Sequence, residues 1–266
     1  MTEWKSYDAV AEIYERVRAP MTAVVAADLV ALAAPAAGAR VLDVGTGTGV
    51  AADAAGRATG DSNIAVGVDM APEMLAVARR VRPGVLLAAA QAIQLPFRDA
   101  AFDVVLANFV LQEFKRYDTA MFDLLRVLKP GGRFAAATWL AEDDELQRAW
   151  LSLVDETVGK EMVRSARAEA VPWWGRFGSV DTLRDTFYDI GLRKIEIERR
   201  PYRFHLTRED YVAEQGTRAL GRFVRGMLGE RGWTSFEERA RKTFAERYGD
   251  QVEDTRDVIL VVATKP

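Results

Sequence analysis

Asp43, Gly45, Gly47, Gly49 and Asp69 have the residue types and spacing to hold a small polar ligand. The three glycines alternate in VLDVGTGTGV, residues 41–50, directly after a short apolar run, and Asp43 stands two places ahead of the first. Glycine admits positive φ and lets backbone come close to a ligand. A helix that begins after such a loop points free N–H groups at whatever the loop holds. Asp69 follows Gly45 by 24 residues, at the end of a second apolar run, where a carboxylate can accept both hydroxyls of a ribose. The spacing is G-x-G-x-G and not G-x-G-x-x-G, and a carboxylate at Asp43 would repel a pyrophosphate and attract a cation.

Elements able to position these residues follow from the pattern. Residues 7–33 carry apolar side chains at helical spacing, divided by Pro20. ARVLDVG predicts a strand that enters the glycine loop, and residues 50–58 an Ala-rich helix. NIAVGVDM reads as a second strand, APEMLAVARRV as a helix with Pro72 in its first turn, and GVLLAAA as a third strand. AFDVVLANF gives a fourth strand, DTAMFDLLRVLK a helix stopped by PGG, and RFAAATWL a fifth strand. Strands alternating with helices over 40–140 predict a parallel sheet covered on both faces. RKIEIERRPYRFHL and RDVILVVATK predict two late strands that complete the sheet, with helices between them covering its ligand edge. The expected organisation is one domain: N-terminal helices over 1–39, a cofactor-binding core over 40–140, a lid and substrate region with a late strand over 141–256, and a final strand over 257–266.

A ribose plus a cationic group, without pyrophosphate, describes S-adenosyl-L-methionine (SAM). VLDVGTGTG, VGVDMAPEML, LPFRDAAFDVVLANFVLQEF and LLRVLKPGGRF, in that order, resemble a class I SAM-dependent methyltransferase, with the nearest likeness to the ubiquinone- and menaquinone-biosynthesis subgroup. The resemblance covers roughly residues 40–140 together with a Tyr-bearing N-terminal helix. It implies a Rossmann-like α/β fold with a mostly parallel seven-stranded sheet, and S-adenosyl-L-homocysteine (SAH) as product. It also implies that Asp43, Gly45, Thr46, Gly47 and Gly49 surround the methionine part of SAM. Asp69 would bind the ribose, Met70 would flank the adenine, and Asn108 and Phe109 would face the cofactor. Tyr14 would close over it. The family's DA-x-x-LPF reads QAIQLPF here, so Gln91, followed by Ala92, stands where an Asp usually accepts from the adenine amine; an amide oxygen accepts as well, without the charge.

Methyl transfer from a sulfonium needs alignment more than a dedicated catalytic pair, because the activated group belongs to the cofactor. Glu113 and His205 are the catalytic candidates: Glu113 lies near the expected methyl position, and His205 has the one side chain whose ordinary pKa is near neutral. Gln112 could orient a substrate. Trp173 and Trp174, in the Pro/Gly stretch VPWWGRFGS, are the foremost of a set of aromatic residues, with Trp139, Trp150, Phe177, Phe204 and Trp233, available to line an apolar pocket. The composition suits a small aromatic or isoprenoid acceptor.

The bulk numbers narrow the classes. The chain has 266 residues, no cysteine and one histidine, which removes thiolate nucleophiles, disulfides and multi-histidine metal centres, so no metal is expected. A net charge of -3 with interspersed signs argues against a large nucleic-acid footprint. MTEWKSYDAV has no apolar signal core and no run approaches a membrane span, which predicts a cytoplasmic monomer or homodimer. The competing readings are a non-catalytic SAM-fold binding or regulatory module and a macromolecule methyltransferase. A base-modifying enzyme often carries Asn/Asp-Pro-Pro-aromatic after the fourth strand, where this chain has ANFVLQ.

Overall fold

Seven strands form one sheet in the order β3-β2-β1-β4-β5-β7-β6 in a computed structural model describing residues 6–60, 65–142 and 144–266. β1 (Val41–Val44), β2 (Ala65–Asp69), β3 (Leu86–Ala89), β4 (Phe102–Asn108) and β5 (Leu128–Trp139) pair in parallel. β7 (Gln251–Thr264) runs antiparallel to both β5 and β6 (Arg193–Thr207). Strand order reverses between β1 and β4, and a ligand crevice belongs beyond the carboxyl ends there.

Successive strand residues serve opposite faces, so the apolar runs are buried twice over. Val104, Leu106, Ala135 and Ala137 pack under α2 (Ala19–Ala33) and α3 (Val50–Thr59), while Val105, Ala107, Phe134 and Ala136 pack under α5 (Tyr117–Val127) and α9 (Val180–Asp189). α1 (Ala11–Val17) and α4 (Pro72–Val81) share a small apolar cluster of Ala11, Ala71, Met74 and Val77 against Tyr7 and Tyr14. Pro20 sits in the first turn of α2, where a missing N–H costs nothing, so the division between α1 and α2 falls at Arg18.

The rest of the chain supplies the cover. α6 (Glu145–Val158), α7 (Lys160–Ala170), α8 (Trp174–Phe177) and α9 lie between β5 and β6. α10 (Arg208–Thr217) and α11 (Ala219–Tyr248, broken at Gly229) lie between β6 and β7. Asp144 and Thr207 cap α6 and α10 by accepting the N–H groups of Gln147 and Asp210. The cover has its own core, in which Trp150, Tyr211, Phe236 and Phe244 are buried.

Two boundaries differ from expectation. The final strand begins at Gln251, not 257, because the polar stretch QVEDTRD pairs with β6 alone, from Thr207↔Gln251 to Pro201↔Asp257, past the end of β5. The expected lid region thus ends in a two-stranded ribbon that rises over the ligand edge. β5 begins at Leu128, paired with Phe102 before a register shift, so the helix stop at LKPGG is also the entry of the strand. Residues 1–5 and the Asn63–Ile64 start expected for the second strand lie outside the described residues.

Candidate active site

β1 delivers Asp43 into the interior, where it is 1% exposed. Its Oδ2 accepts the Thr46 hydroxyl at 2.7 Å and the Ala52 N–H at 3.1 Å, so one carboxylate ties the loop to the first turn of α3. Burial pushes the Asp43 carboxyl up to about 7, against the pull of these two bonds. The Thr46 N–H donates to the Val68 carbonyl at 2.9 Å, laying the loop across β2. Gly67 makes that contact feasible, since a Cβ there would come within 2.6 Å of the Thr46 hydroxyl. Gly45 has φ +67, and a Cβ on it would meet Val110 at 2.4 Å, so the glycine answers both a left-handed backbone and a close neighbour.

Asp69, at the carboxyl end of β2, accepts the Gly47 N–H through Oδ2 at 2.8 Å and the Ala71 N–H through Oδ1 at 2.9 Å. The two bonds fix the carboxylate across the loop, and each oxygen keeps a second acceptor site. Burial raises its pKa despite the bonds. The Asp69 carbonyl accepts the Ala90 N–H at 3.0 Å, which brings Gln91 and Ala92 beside the end of β2. Met70 is 56% exposed and Gln91 is exposed, so the edge beyond Asp69 is open.

Asn108 ends β4, and Phe109 follows with φ +59, uncommon for a residue with a side chain. That backbone turns the Phe109 ring onto Trp139, stacked at 4.0 Å and 16°. Asp43 Oδ1, Thr48 Oγ1 and Asn108 Oδ1 are buried without a hydrogen-bond partner. A protein rarely leaves such atoms unpaired, and this set of acceptors and a hydroxyl suits a ligand that brings donors. SAM fits that demand, with an ammonium group and ribose hydroxyls.

A cavity of about 260 Å³ opens on the lid side of Phe109. Phe109, Trp139, Leu140, Leu151, Val171 and Trp174 give its apolar wall. Gln112 and Glu113 reach it from the short turn Leu111–Glu113 after β4. The Gln112 amide donates to the Trp139 carbonyl at 3.0 Å, and Glu113 accepts the Tyr7 phenol at 2.5 Å. Tyr14 meets Tyr7 edge-on at 5.9 Å.

The sequence-predicted residues therefore divide. Asp43, Gly45, Thr46, Gly47, Gly49, Asp69, Met70, Gln91, Ala92 and Asn108 gather around the loop and the neighbouring strand ends, and Phe109, Gln112, Glu113 and Trp174 reach the cavity. His205 does not: it sits on β6 opposite Glu253 with a 73% exposed side chain, away from the cavity wall. Trp173 packs against Tyr117 at 4.5 Å in the core under the sheet, outside the cavity lining. Trp150 and Trp233 belong to the lid core, Phe177 and Phe204 to the sheet cores. Missed from sequence were Tyr7, Arg18, Arg218 and Arg256, all on the cavity wall.

The fold is the Rossmann-like fold of class I methyltransferases. Residues 42–136 match the protein family described as a methyltransferase domain. A demethylmenaquinone methyltransferase of Thermus thermophilus is 46% identical over 99 residues, 35% of this chain and 44% of that protein. The chain thus aligns with less than half of that relative's length. Phosphoethanolamine N-methyltransferase 2 of Haemonchus contortus, solved with SAM, superposes with a TM-score of 0.55 at 21% identity, covering 91% of this chain and 52% of that one. The [4+2]-cyclase SpnF superposes at 0.52 and 20% identity, covering 90% of this chain and 80% of that one. Likeness at this level concerns the fold, and a cyclase among the neighbours means that the fold alone does not set the reaction. No helix among the described residues is long and apolar enough to cross a membrane.

Proposed function

We propose that the chain is a SAM-dependent methyltransferase acting on a small organic acceptor. The observation that carries this reading is that two unlike surroundings meet at the end of β4, in Asn108 and Phe109. Asn108 belongs with the buried acceptor at Asp43 and the Asp69 carboxylate, and Phe109 belongs to a cavity with an aromatic wall. When bound, SAM supplies a methyl group on a sulfonium, ready for in-line attack. Asp69 would hold the ribose, the loop from Asp43 to Gly49 the methionine part, and Gln91 the adenine edge. Phe109 and Trp139 would exclude water and offer aromatic faces to the cationic centre. Gln112 is fixed by its bond to Trp139 and can orient an acceptor. Glu113 stands where it can take the proton that the attacking group releases, while the Tyr7 phenol holds its other contact.

The 46% identity to a demethylmenaquinone methyltransferase covers 35% of the chain, which supports SAM more than it supports a quinone acceptor. An aromatic or isoprenoid acceptor is our reading of the apolar cavity wall. The test uses SAM with a labelled methyl group, a metabolite extract of the source cells and a boiled-protein control. Protein-dependent label in the organic-soluble fraction supports the proposal. Label confined to precipitated macromolecules would move the acceptor to another class, and no label with tight SAH binding would leave a binding module.

A further inference from the structure

The cavity wall has an unusual hydrogen-bond balance. Among the described residues, two buried polar atoms on it lack partners, Arg218 Nη2 and Trp139 Nε1, and both can only donate. The carboxylates on the same wall are engaged. Glu113 takes the Tyr7 phenol, Glu142 and Asp257 face Arg199, and Asp144 takes the Gln147 N–H. The demand left over is for acceptors, the opposite of the demand around the glycine loop.

Arg218 is built to meet such a group. Its Nε donates to both oxygens of Glu214 at 3.0 Å, and its Nη1 donates to the Gln147 side chain at 2.6 Å. Glu214 is fully buried and also faces Arg18 at 3.0 Å and Arg256 at 3.6 Å. The guanidinium is therefore locked by two partners, while its third nitrogen, on a residue that lines the cavity, is left without one. Arg218 also immediately precedes α11, and Ala219 and Leu220 of that helix's first turn share the wall. First-turn N–H groups have no partner within a helix and carry partial positive charge, which reinforces the guanidinium. Phe109, Trp139 and Trp174 supply the aromatic part of the same wall.

We propose that Arg218 is a specificity residue and that the acceptor is an organic anion, an apolar body carrying a carboxylate or phosphate. The anion docks on Arg218 and the start of α11, the Trp139 indole donates to a second oxygen, and the apolar body lies along the aromatic wall toward Glu113. The proposal rests on reading this cavity as the acceptor site.

The experiment is calorimetric binding of 2-naphthoate, 2-naphthyl phosphate and the neutral 2-naphthamide, each with and without SAH. The wild-type protein should bind at least one anion about tenfold or more tightly than the amide, the scale expected of a hydrogen bond to a charged group. R218Q should erase that preference while keeping SAH affinity. Should R218Q fail to fold, R218K keeps a cation beside Glu214 without the planar fork and should reduce the preference. Carboxylate and phosphate arms tell which anion the site favours. Equal affinity for acid and amide, or no binding of either anion at millimolar concentration, overturns the proposal while leaving SAH binding untouched. Loss of SAH binding with the anion preference intact would instead sink the methyltransferase reading alone.

Discussion

The Tyr7 phenol donates to the Glu113 carboxylate at 2.5 Å across 106 positions of sequence, joining the N-terminal segment to the turn after β4. The same ring lies 3.8 Å from the Arg222 guanidinium, and burial with the nearby Glu113 charge drives the phenol pKa upward. Tyr7 thus remains a hydrogen-bond donor at any working pH, a clasp between the start of the chain, the cavity floor and the lid.

Removing only the hydroxyl tests that clasp. Y7F keeps the ring over Arg222 and should cost about 1 kcal/mol of stability. It should also weaken SAH binding several-fold, because the N-terminal segment then opens more often. Thermal melting and calorimetry would check both, and wild-type values in each would mean that the bond is incidental.

G45A confronts both the φ of +67 and the 2.4 Å approach to Val110. A left-handed Ala costs about 1–2 kcal/mol and overpacking about 1–3 kcal/mol. In urea unfolding the V110A background should recover the second part and not the first. Full recovery would show that the backbone there is not strained.

Asp43 makes stability depend on pH. Its folded value is about 7 against an ordinary 3.8, so between these the folded protein keeps a proton that the unfolded chain has released. The contribution is fully present below about pH 4 and is lost as pH rises through 7. Urea titrations should show D43N, whose amide oxygen still accepts from Thr46 and Ala52, with a flatter profile from pH 4 to 8. If the ligand's ammonium sits on Asp43, SAH binding near pH 6.5 should also release protons, read by calorimetry in buffers of different ionisation enthalpy.

D69A removes two loop anchors and the ribose acceptor together, and SAH affinity should fall by about 10- to 100-fold. Unchanged affinity would refute the ribose role.

His205 and Glu113 separate in the methyl-transfer assay. H205A should leave turnover within about twofold, since the ring faces solvent on β6. E113Q keeps an acceptor for Tyr7 but not a base and should slow turnover about 10²-fold or more. A slow H205A would put the site elsewhere.

Strands and cofactor loop were legible because burial on two faces forces apolar runs, and a tight loop forces glycine. The lid was harder. Arg218, Arg256 and Glu214 lie among other charges, and in a sequence a buried ion network looks like a solvated helix face. One signal was present: Arg218 lies between two helical runs in EQGTRALGR, where a side chain can turn inward at a helix junction. His205 misled by its type, since chemical versatility says nothing about which side of a strand a residue occupies. Trp173 and Trp174 are adjacent, yet one enters the sheet core and the other the cavity, a choice made by the short α8 and not by composition.

The ribbon formed by β6 and the first half of β7 has an evolutionary consequence. Chain leaves the sheet through Thr207 and returns through Gln251, residues paired with each other, so α10 and α11 are inserted at one point of the sheet. The further ties of this insert, such as Arg18–Glu214 and Arg218–Gln147, run to helices and not to the parallel strands. Residues 42–136, where the family match lies, carry the glycine loop, whereas the Arg208–Asp250 insert reaches the cavity through Arg218, Ala219 and Leu220. Replacing α10 and α11 as one unit would therefore be expected to change acceptor preference while leaving the glycine loop in place, as an interchangeable head on a fixed handle.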